Sequence, residues 1–370
     1  MTQLAIDLRW IDSSGVGMYI KGILPGIVER LPDVAIVGIG DRSRLEDFPW
    51  AHAPNMRLVD CRAGRYSMAE QIQLPLAIPS NTDLFFSPYY TIPLLYRGRF
   101  AVTVHDLSHR MVAEIVGNPK KRTYAKLMFR ALRKRASLIL TVSNFSKAEL
   151  LRLTEGPRQD NIITTHLGIS EEWYTAASLP AVRTRPYFIH VGNIKPYKNL
   201  SRLVEAFLEI KDRIPQDLVI VGQSEGLITG ESPEFFERVR SAGDRIHLTG
   251  FVSYQDLLSL VGHADALVMP SLYEGFGLPP LEAMAAGVPV TVARSASLPE
   301  VCADAALYFN PLNSDDIAEK LIEIASNPQL RSQLQQKGIE RSQIFRWDTC
   351  AQQTAAALRD HLEGRKSGKA

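Results

Sequence analysis

The sequence predicts an α/β protein made of two doubly wound units, each with a parallel sheet covered by helices on both faces. Short apolar runs alternate with longer helix-like segments along the chain, which is typical of strand–helix–strand repeats. The alternation stops once, at a stretch rich in small residues and proline, and then restarts. A chain of 370 residues is also too long for one ordinary hydrophobic core, so two domains are expected.

The first half of the chain supplies one series of strands. Between most of them lie segments with helical spacing, such as Tyr19–Glu29 and Lys121–Ala136. The strand candidates are Leu4–Leu8, Val34–Ile39, Met56–Val59, Leu84–Phe86, Phe100–Val104, Leu138–Val142 and Ile162–Thr164. We therefore predict a first Rossmann-like domain over residues 1–170.

The second half repeats the pattern after a predicted linker at 171–186, which has two prolines and no clear periodicity. Its strand candidates are Tyr187–Val191, Leu218–Val221, Ile246–Leu248, Ala266–Met269 and Val288–Val292. Its helix candidates are Leu200–Ile210, Gln255–Val261, Leu281–Ala286 and Asp315–Ala325. A second Rossmann-like domain is predicted over 187–345, and ligands of such sheets bind beyond the carboxyl ends of the strands.

The composition excludes several classes of protein. Hydrophobic residues make up 45% and charged residues 22%, as in globular domains, and a net charge of +2 gives no field for nucleic acid. The three cysteines fit neither a disulfide framework nor a zinc site. The N-terminus lacks the apolar core of a signal peptide, and no apolar run approaches the ~18 residues of a membrane span. We expect a cytoplasmic protein, with peripheral contact to the inner face of the membrane left open.

The stretch Ala264–Val290 combines a buried strand, a glycine-containing loop and a helix that starts with prolines. A loop of this kind directs backbone N–H groups and the positive end of the helix dipole at an anion. Two acids, Glu274 and Glu282, bracket the loop and the first helical turns. We therefore predict that the main ligand site forms here.

Lys198 is the expected partner charge of that loop. It stands near the start of the helix that contains Leu200–Ile210, where a cation opposes the helix dipole unless an anion offsets it. A phosphate partner is therefore favoured over a decorative lysine. The chain has no Asp-x-Asp, no His/Cys cluster at metal-ligand spacing and no P-loop, so we expect no obligatory metal.

Two segments of the first half also follow strands. Ser14-Gly15-Val16-Gly17 has two of the three glycines of a dinucleotide loop, but Ile20 occupies the third position. It is interpreted as an NAD loop, a tight turn or, preferably, a close backbone approach to a ligand. His105 follows the strand Phe100–Val104 and either points into a cleft or is satisfied by Asp106.

The segment Lys120–Arg135 carries basic residues and no acid. A basic helix can lie on an anionic membrane surface, although a charge run is more often a solvated face. Membrane contact through this segment therefore stays one of two interpretations.

The run EGFGLPPLEAMAAGVPV resembles the E-x7-E region of retaining glycosyltransferases of family 4, which have the GT-B fold. The resemblance continues through SSGVGMYI, TVHDLSHR, TVSNFSKAEL, VGNIKPYKNL, HLTGFVSYQDLL, SLPEVCADAALYFNP and the terminal FRWD. It implies two doubly wound Rossmann-like domains that face each other across a cleft. It also implies that residues 346–370 form a helix that crosses back onto the first domain.

The resemblance implies roles for individual residues. Glu274 would contact the donor sugar, Lys198 would neutralise the diphosphate leaving group, and His105 would lie near the sugar or a phosphate. Glu282 would bind the ribose hydroxyls, and Gly15 would let the first domain close on the donor. The donor-binding set is Glu282, Gly275, Phe276, Gly277, Leu278, Gly15, Asn193, Phe251, Val252 and Gly222, with the base near Phe251-Val252.

One departure from the family pattern concerns the phosphate clamp. Asn193 stands where the family often has an arginine, and Tyr197 stands where many relatives have another. Lys198 and helix N-termini would then carry the clamp, with Arg294 as a possible substitute. Asn193 could instead signal reduced activity.

The predicted function is metal-independent, retaining transfer of a hexose from a nucleotide-diphosphate sugar to a saccharide or lipid-linked saccharide, as in polysaccharide biosynthesis. UDP-glucose is preferred as the donor over GDP-mannose, and no cofactor is expected beyond this co-substrate. The alternatives are a nucleotide-sugar epimerase, a non-catalytic nucleotide-sugar-binding subunit and an NAD-dependent oxidoreductase.

Overall fold

A computed structural model describes residues 2–107, 128–154, 161–222 and 233–364. The chain forms two compact units, one made of residues 1–168 and 346–370 and the other of residues 169–345. The segment predicted as a linker, 171–186, belongs to the second unit and begins with the 3-10 helix Glu171–Ser178, whose Trp173 is buried.

The first unit is built on a seven-stranded parallel sheet with the order β3-β2-β1-β4-β5-β6-β7. Its central strands are mostly apolar and are buried along their whole length, because helices cover both faces of a parallel sheet. The strands are β1 Gln3–Asp7, β2 Ala35–Gly40, β3 Met56–Asp60, β4 Leu84–Ser87, β5 Phe100–Val104, β6 Leu138–Thr141 and β7 Ile162–Thr164. The helices between them are α1 Ser14–Arg30, α2 Arg42–Leu45, α3 Met68–Ala77 and α4 Asn144–Leu153, and residues 128–135 are also helical.

The second unit has a six-stranded parallel sheet with the order β10-β9-β8-β11-β12-β13. Its strands are β8 Tyr187–Val191, β9 Asp217–Val221, β10 Ile246–Gly250, β11 Ala266–Met269, β12 Val290–Ala293 and β13 Ala306–Phe309. Its helices are α5 Leu200–Ile210, α6 Pro233–Ser241, α7 Tyr254–Gly262, α8 Leu278–Ala285, α9 Leu298–Cys302, α10 Ser314–Ser326 and α11 Pro328–Ser342. The last helix of the chain, α12 Trp347–Leu362, belongs to the first unit.

The two sheets share one topological feature that positions ligands. In each, the strand order reverses beside the first strand of the unit, between β1 and β4 and between β8 and β11. A crevice opens at the carboxyl ends of the strands on either side of such a reversal. The predicted α/β class with two doubly wound sheets is therefore confirmed, and each unit has one expected ligand position.

Glycines allow α12 to lie directly on α1. A Cβ at Gly22 would be 2.2 Å from Cδ2 of the Trp347 ring, and one at Gly26 would be 2.7 Å from Cβ of Ala351. Side chains at these two α1 positions would hold the helices apart. The C-terminal helix thus completes the first unit through a groove of two glycines spaced one helical turn apart.

Candidate donor site at the carboxyl edge of the second sheet

Lys198 ends a short 3-10 turn, Pro196–Lys198, that follows β8. The next residue, Asn199, is left-handed with φ 61° and caps α5. Its side-chain nitrogen donates to the carbonyl oxygens of Pro270 at 3.1 Å and Pro311 at 2.7 Å, which fixes the turn. The backbone of Lys198 is thereby held one residue before the cap of the helix.

Glu274 lies in the loop between β11 and α8 and forms an ion pair with Lys198. Nζ of Lys198 is 2.7 Å from Oε1 of Glu274, and each side chain is 13% exposed. The residues are 76 positions apart in the chain, but β8 and β11, which precede them, are neighbours at the reversal of the sheet. The structure therefore brings these two predicted site residues together and gives Lys198 a protein carboxylate as its partner.

The loop that carries Glu274 is fixed by a buried hydroxyl that the sequence analysis missed. The Ser297 hydroxyl lies 2.9 Å from the carbonyl oxygen of Glu274 and 2.8 Å from that of Phe276, both of which accept from it. The Phe276 ring is buried edge-on against Phe345, with centroids 5.6 Å apart. Phe276 thus anchors the loop with its side chain.

Gly277 makes the turn from this loop into α8. Its φ of 105° lies in the region that favours glycine, and a Cβ there would lie 2.9 Å from Cδ2 of Leu298, which would have to shift. The first N–H groups of a helix have no partner within it. Pro279 and Pro280 remove two of these donors, so Leu278 is the one residue of the first three in α8 that has a backbone N–H.

Glu282 lies on α8 with its side chain half-buried. Burial raises the pKa of its carboxyl to about 7, and no ion pair to it is found among the described residues. A carboxyl in such surroundings changes charge near neutrality. Its predicted bond to ribose hydroxyls stays a prediction.

Three glycines stand side by side where β8, β9 and β10 end. The Gly192 N–H donates to the carbonyl of Val221 at 2.9 Å, and the Gly222 N–H donates to that of Gly250 at 3.2 Å. A Cβ at Gly222 would lie 2.0 Å from the carbonyl oxygen of Gly192, so this row can form only with glycine there. The row leaves a strip of bare backbone at the carboxyl edge of the sheet.

The residues predicted to meet the base follow this row. The Phe251 ring is 88% exposed, and Val252 beside it is half-buried. An exposed aromatic face directly after a strand is suited to stacking on a flat ring. The contact with a base stays a prediction.

Two residues were considered for the phosphate clamp besides Lys198, namely Asn193 and Arg294. Asn193 follows Gly192 and is exposed. The guanidinium of Arg294 lies 4.5 Å from the ring centroid of Tyr308, at the far end of the strand order. The role of Arg294 as a substitute for the missing arginine stays a prediction.

His190 is a second residue that the sequence analysis passed over. It is fully buried near the end of β8, and its Nδ1 lies 3.0 Å from the carbonyl oxygen of Val268 on β11. Burial, together with the charge of Lys198, lowers the pKa of this histidine to about 3. A neutral imidazole therefore stands beside the ion pair. Its signal in the sequence is a polar residue one position before the end of the first strand of a unit.

In the first unit, His105 follows β5 as predicted and is half-buried. Its Nε2 donates to the carbonyl of Pro88 at 2.8 Å, and the edge of its ring faces Tyr19 with centroids 4.8 Å apart. Burial lowers its pKa, so it is a neutral imidazole near pH 7. Its predicted place near the donor stays a prediction.

A buried charged cluster and an aromatic cluster lie beside each other after β1. The Arg9 guanidinium is 2.7 Å from Asp7 and 2.8 Å from Glu70, with all three side chains almost fully buried. The Trp10 ring packs against Tyr89 with centroids 4.4 Å apart. These contacts rigidify the carboxyl edge of the first sheet at its reversal.

Gly15 lies in the first turn of α1, exposed and with open space around its Cα. The helix begins at Ser14, earlier than the predicted start near Tyr19. The segment Ser14–Gly17 is therefore helical, and the interpretation as a glycine-rich dinucleotide loop is wrong. The role of Gly15 in closing on a donor stays a prediction.

The basic segment Lys120–Arg135 is only partly available for comparison. Residues 120–127 lie outside the described residues, and 128–135 are helical. Within the described ranges, none of the helices combines the length and the apolar character needed to cross a membrane. In the same ranges, no three His, Cys, Asp or Glu side chains cluster as metal ligands would. Membrane contact and independence from metal both stay predictions.

Comparison with known proteins identifies the family. Residues 173–341 match the family model of glycosyl transferases group 1. The chain is 32% identical over 289 residues to O-antigen chain mannosyltransferase B of Escherichia coli, a match that covers 75% of this chain and 74% of the relative. The chain belongs to the group 1 glycosyltransferases. It is also 27% identical over 237 residues to the serotype-specific mannosyltransferase WbdA of Escherichia coli, which covers 59% of this chain but 28% of that longer protein.

The fold of this glycosyltransferase is GT-B. The structure of sucrose-phosphate synthase from Thermosynechococcus elongatus matches it with a TM-score of 0.76 at 20% identity, over 98% of this chain and 100% of that one. The family match at 173–341 contains the Lys198–Glu274 pair, Glu282 and the glycine row, whereas His105 and Gly15 lie before it. The predicted resemblance to GT-B glycosyltransferases is confirmed, and the NAD-dependent oxidoreductase alternative is wrong.

Proposed function

We propose that this glycosyltransferase moves a mannosyl group from GDP-mannose to a saccharide acceptor in polysaccharide biosynthesis, with retention at the anomeric carbon. The observation that carries the proposal is the Lys198–Glu274 ion pair at the reversal of the second sheet. The mannose assignment is supported by the name of the relative that is 32% identical. The sequence alone predicts UDP-glucose ahead of GDP-mannose, whereas the mannosyltransferase relatives favour GDP-mannose.

The ion pair is suited to a donor because both partners keep unused hydrogen-bonding capacity. The Lys198 ammonium has three N–H donors and spends one on Oε1 of Glu274. The other carboxylate oxygen of Glu274 makes no hydrogen bond or ion pair among the described residues. In the proposal, Lys198 turns its remaining donors to the diphosphate while Glu274 accepts from a hydroxyl of the sugar. Neither group has to break the pair.

The proposed reaction forms one glycosidic bond and breaks another. The bond between the anomeric carbon and the diphosphate oxygen breaks, and the acceptor hydroxyl oxygen bonds to that carbon from the same face. The acceptor proton passes to the departing diphosphate. Negative charge grows on the diphosphate in the transition state, where Lys198 and the N–H of Leu278 stabilise it. Charges fixed in place before the reaction are what accelerate such a step.

The proposal is tested by measuring mannosyl transfer with the variants Lys198→Met, Glu274→Gln and the double variant. Each should lower kcat/KM by about 10²-fold or more, as does loss of a fixed stabilising group in other enzymes. The double variant removes both charges, so it should regain folding stability relative to Lys198→Met without regaining activity. Lys320→Met with Glu323→Gln removes a half-buried ion pair of the same length, 2.7 Å, on α10 and should leave turnover unchanged.

The result also separates the alternatives. An epimerase would convert the donor without an acceptor, and a non-catalytic subunit would bind the donor with no transfer in any mixture. Transfer by Lys198→Met and Glu274→Gln at near wild-type rates would overturn the proposal. Transfer from UDP-glucose but not from GDP-mannose would overturn the choice of donor alone.

A further inference from the structure

A buried nitrogen beside Lys198 has no partner in the part of the chain that the structure describes. Nδ1 of His190 lies 3.0 Å from the carbonyl oxygen of Val268, which can only accept, so Nδ1 carries the proton. The ring is neutral, because burial and Lys198 lower its pKa to about 3. Nε2 therefore presents a lone pair, and no described group donates to it. Buried polar atoms are nearly always paired, so this exception calls for an explanation.

A small space lies beside Nε2 over the half-buried Gly192, and we call it the niche. A Cβ at Gly192 would lie 3.3 Å from Nε2 of His190 and 3.7 Å from Nζ of Lys198. The two nitrogens therefore flank the same space over the backbone of Gly192. Nζ is already bonded to Glu274, which places the niche at the edge of the ion pair.

The chemistry of the niche selects the group that can occupy it. A hydroxyl can donate to Nε2 and accept from the Lys198 ammonium at the same time. An ionised phosphate oxygen has no proton to donate, and the lone pair of Nε2 repels its charge. The niche therefore suits a sugar hydroxyl, while the diphosphate has to approach Lys198 from another side.

We propose that His190 is a specificity-determining residue for the transferred hexose, whose Nε2 accepts a hydrogen bond from one hydroxyl of the donor sugar. This inference rests on the proposed function, because it requires a nucleotide sugar at the Lys198–Glu274 pair. His190, a buried residue of β8, would thus join the donor-binding residues that were predicted in the loop between β11 and α8.

Two substitutions of His190 distinguish the roles of its two ring nitrogens. His190→Gln can place an amide oxygen near the position of Nε2 and so keep the acceptor. His190→Asn can keep a donor to Val268 but lacks an acceptor at the niche. A merely structural role would be harmed by both changes, whereas hydroxyl recognition should survive better in His190→Gln.

The experiment measures by calorimetry the Kd of GDP-mannose, of the monodeoxy analogues of its sugar, and of GDP alone. For wild type, one deoxy analogue should bind about tenfold or more weakly than GDP-mannose because it leaves Nε2 unpaired. His190→Asn should bind GDP-mannose and that analogue alike, and His190→Gln should keep part of the difference. The affinity for GDP should be the same in all three proteins.

Equal discrimination by wild type and His190→Asn against every analogue would overturn the inference, as would an equal loss of affinity for GDP. Donor binding without transfer would refute the proposed catalysis and leave the test of His190 intact. If wild type binds another nucleotide sugar in place of GDP-mannose, the analogues of that sugar decide the matter. Failure to bind any nucleotide sugar would overturn both proposals.

Discussion

Two carboxylates of the second unit experience opposite electrostatic surroundings although they are close in sequence. Glu274 has the Lys198 ammonium at 2.7 Å. Glu282 is half-buried on α8 without an ion pair among the described residues, and burial raises its pKa to about 7. The negative charge of Glu274 is thus neutralised by Lys198 before any ligand binds. No described residue forms an ion pair with Glu282, so a ligand would have to supply its hydrogen-bond donors. Vicinal ribose hydroxyls would supply two.

We expect the affinity for GDP-mannose to rise with pH between about 6 and 8. Hydroxyl donors favour the carboxylate form of Glu282, and below a pKa of about 7 that carboxyl must first lose its proton. The expected gain is up to about tenfold per pH unit below the pKa and levels off above it. Calorimetry across this range measures it, and Glu282→Gln should bind more weakly at pH 8 with a flat profile. A rise of equal slope in the variant would assign the titration to another group.

The pKa of Glu282 has the opposite consequence for folding: the stability of the free protein should fall as the pH rises, whereas the affinity for the donor should increase. Folding raises the pKa of Glu282 from 4.5 to about 7, so the fold favours the protonated form. Its contribution to the free energy of unfolding is full below about pH 4.5 and is lost as the pH rises through about 7. Glu282→Gln should therefore stabilise the free protein at pH 8 while it weakens donor binding. A loss of both properties would instead indicate a packing defect.

The identity of single site residues could be predicted from the sequence, but their partners could not. Glu274 is predicted because it brackets a glycine-containing loop before a helix, and Lys198 because it stands near the start of a helix. Their ion pair depends on β8 and β11 being neighbours, which no local pattern of the sequence reveals. Ser297 and His190 were not predicted for the same reason. The role of a buried hydroxyl or imidazole depends on its contacts with residues that are distant in the sequence.

At the scale of elements, the loop between β11 and α8 is held at both ends. Ser297 bonds its backbone at Glu274 and Phe276, and Gly277 turns it into the helix at φ 105°. The Glu274 side chain therefore projects from a fixed support. Such rigidity is what keeps a charge aligned before the reaction begins.

Gly277→Ala should both destabilise the protein and reduce transfer, and Gly243→Ala supplies the matched control. Gly243 has φ 65° and open space around it, so alanine costs only the strain of a left-handed residue, about 1–2 kcal/mol. At Gly277 the same change adds a contact of 2.9 Å with Leu298 at a φ of 105°. Thermal unfolding should show the larger loss for Gly277→Ala, and kcat should fall at least about tenfold in that variant alone. Equal effects of the two substitutions would mean that the loop tolerates displacement.

Elements were predictable where their pattern was long and uniform, and less so at edges. The helix α5 was predicted with the bounds that it has, because its apolar residues recur at helical spacing and pack inward. The edge strand β13 was not predicted, since ALYF is short and its two central residues are only half-buried. The start of α1 was placed too late because two glycines disfavour helix locally, whereas tertiary packing overrides that preference.

At the scale of the whole molecule, the restart of the strand pattern correctly indicated two doubly wound units. Both sheets begin with the order third, second, first and fourth strand of their unit, and this order decides which strand ends share a crevice. The alternation of apolar and helical segments predicts the order of the strands along the chain, but it does not predict which strands are neighbours in the sheet. Right-handed crossovers and helices on both faces of the sheet reduce the number of allowed strand orders, but more than one order remains.

After residue 345 the chain returns to the first unit, and α12 packs on Gly22 and Gly26 of α1. This contact leads to a prediction about stability. Gly22→Ala should destabilise the first unit by about 1–3 kcal/mol, because its Cβ would lie 2.2 Å from the Trp347 ring. Trp347→Ala removes that ring, and Gly22→Ala in this background should become neutral or stabilising by about 0.5–1 kcal/mol, since alanine favours a helix over glycine. Hydrogen exchange of the amides in α1 and α12 measures both effects within one unit. If the two substitutions add without this change of sign, then α12 does not depend on the glycine at 22 for its place on α1.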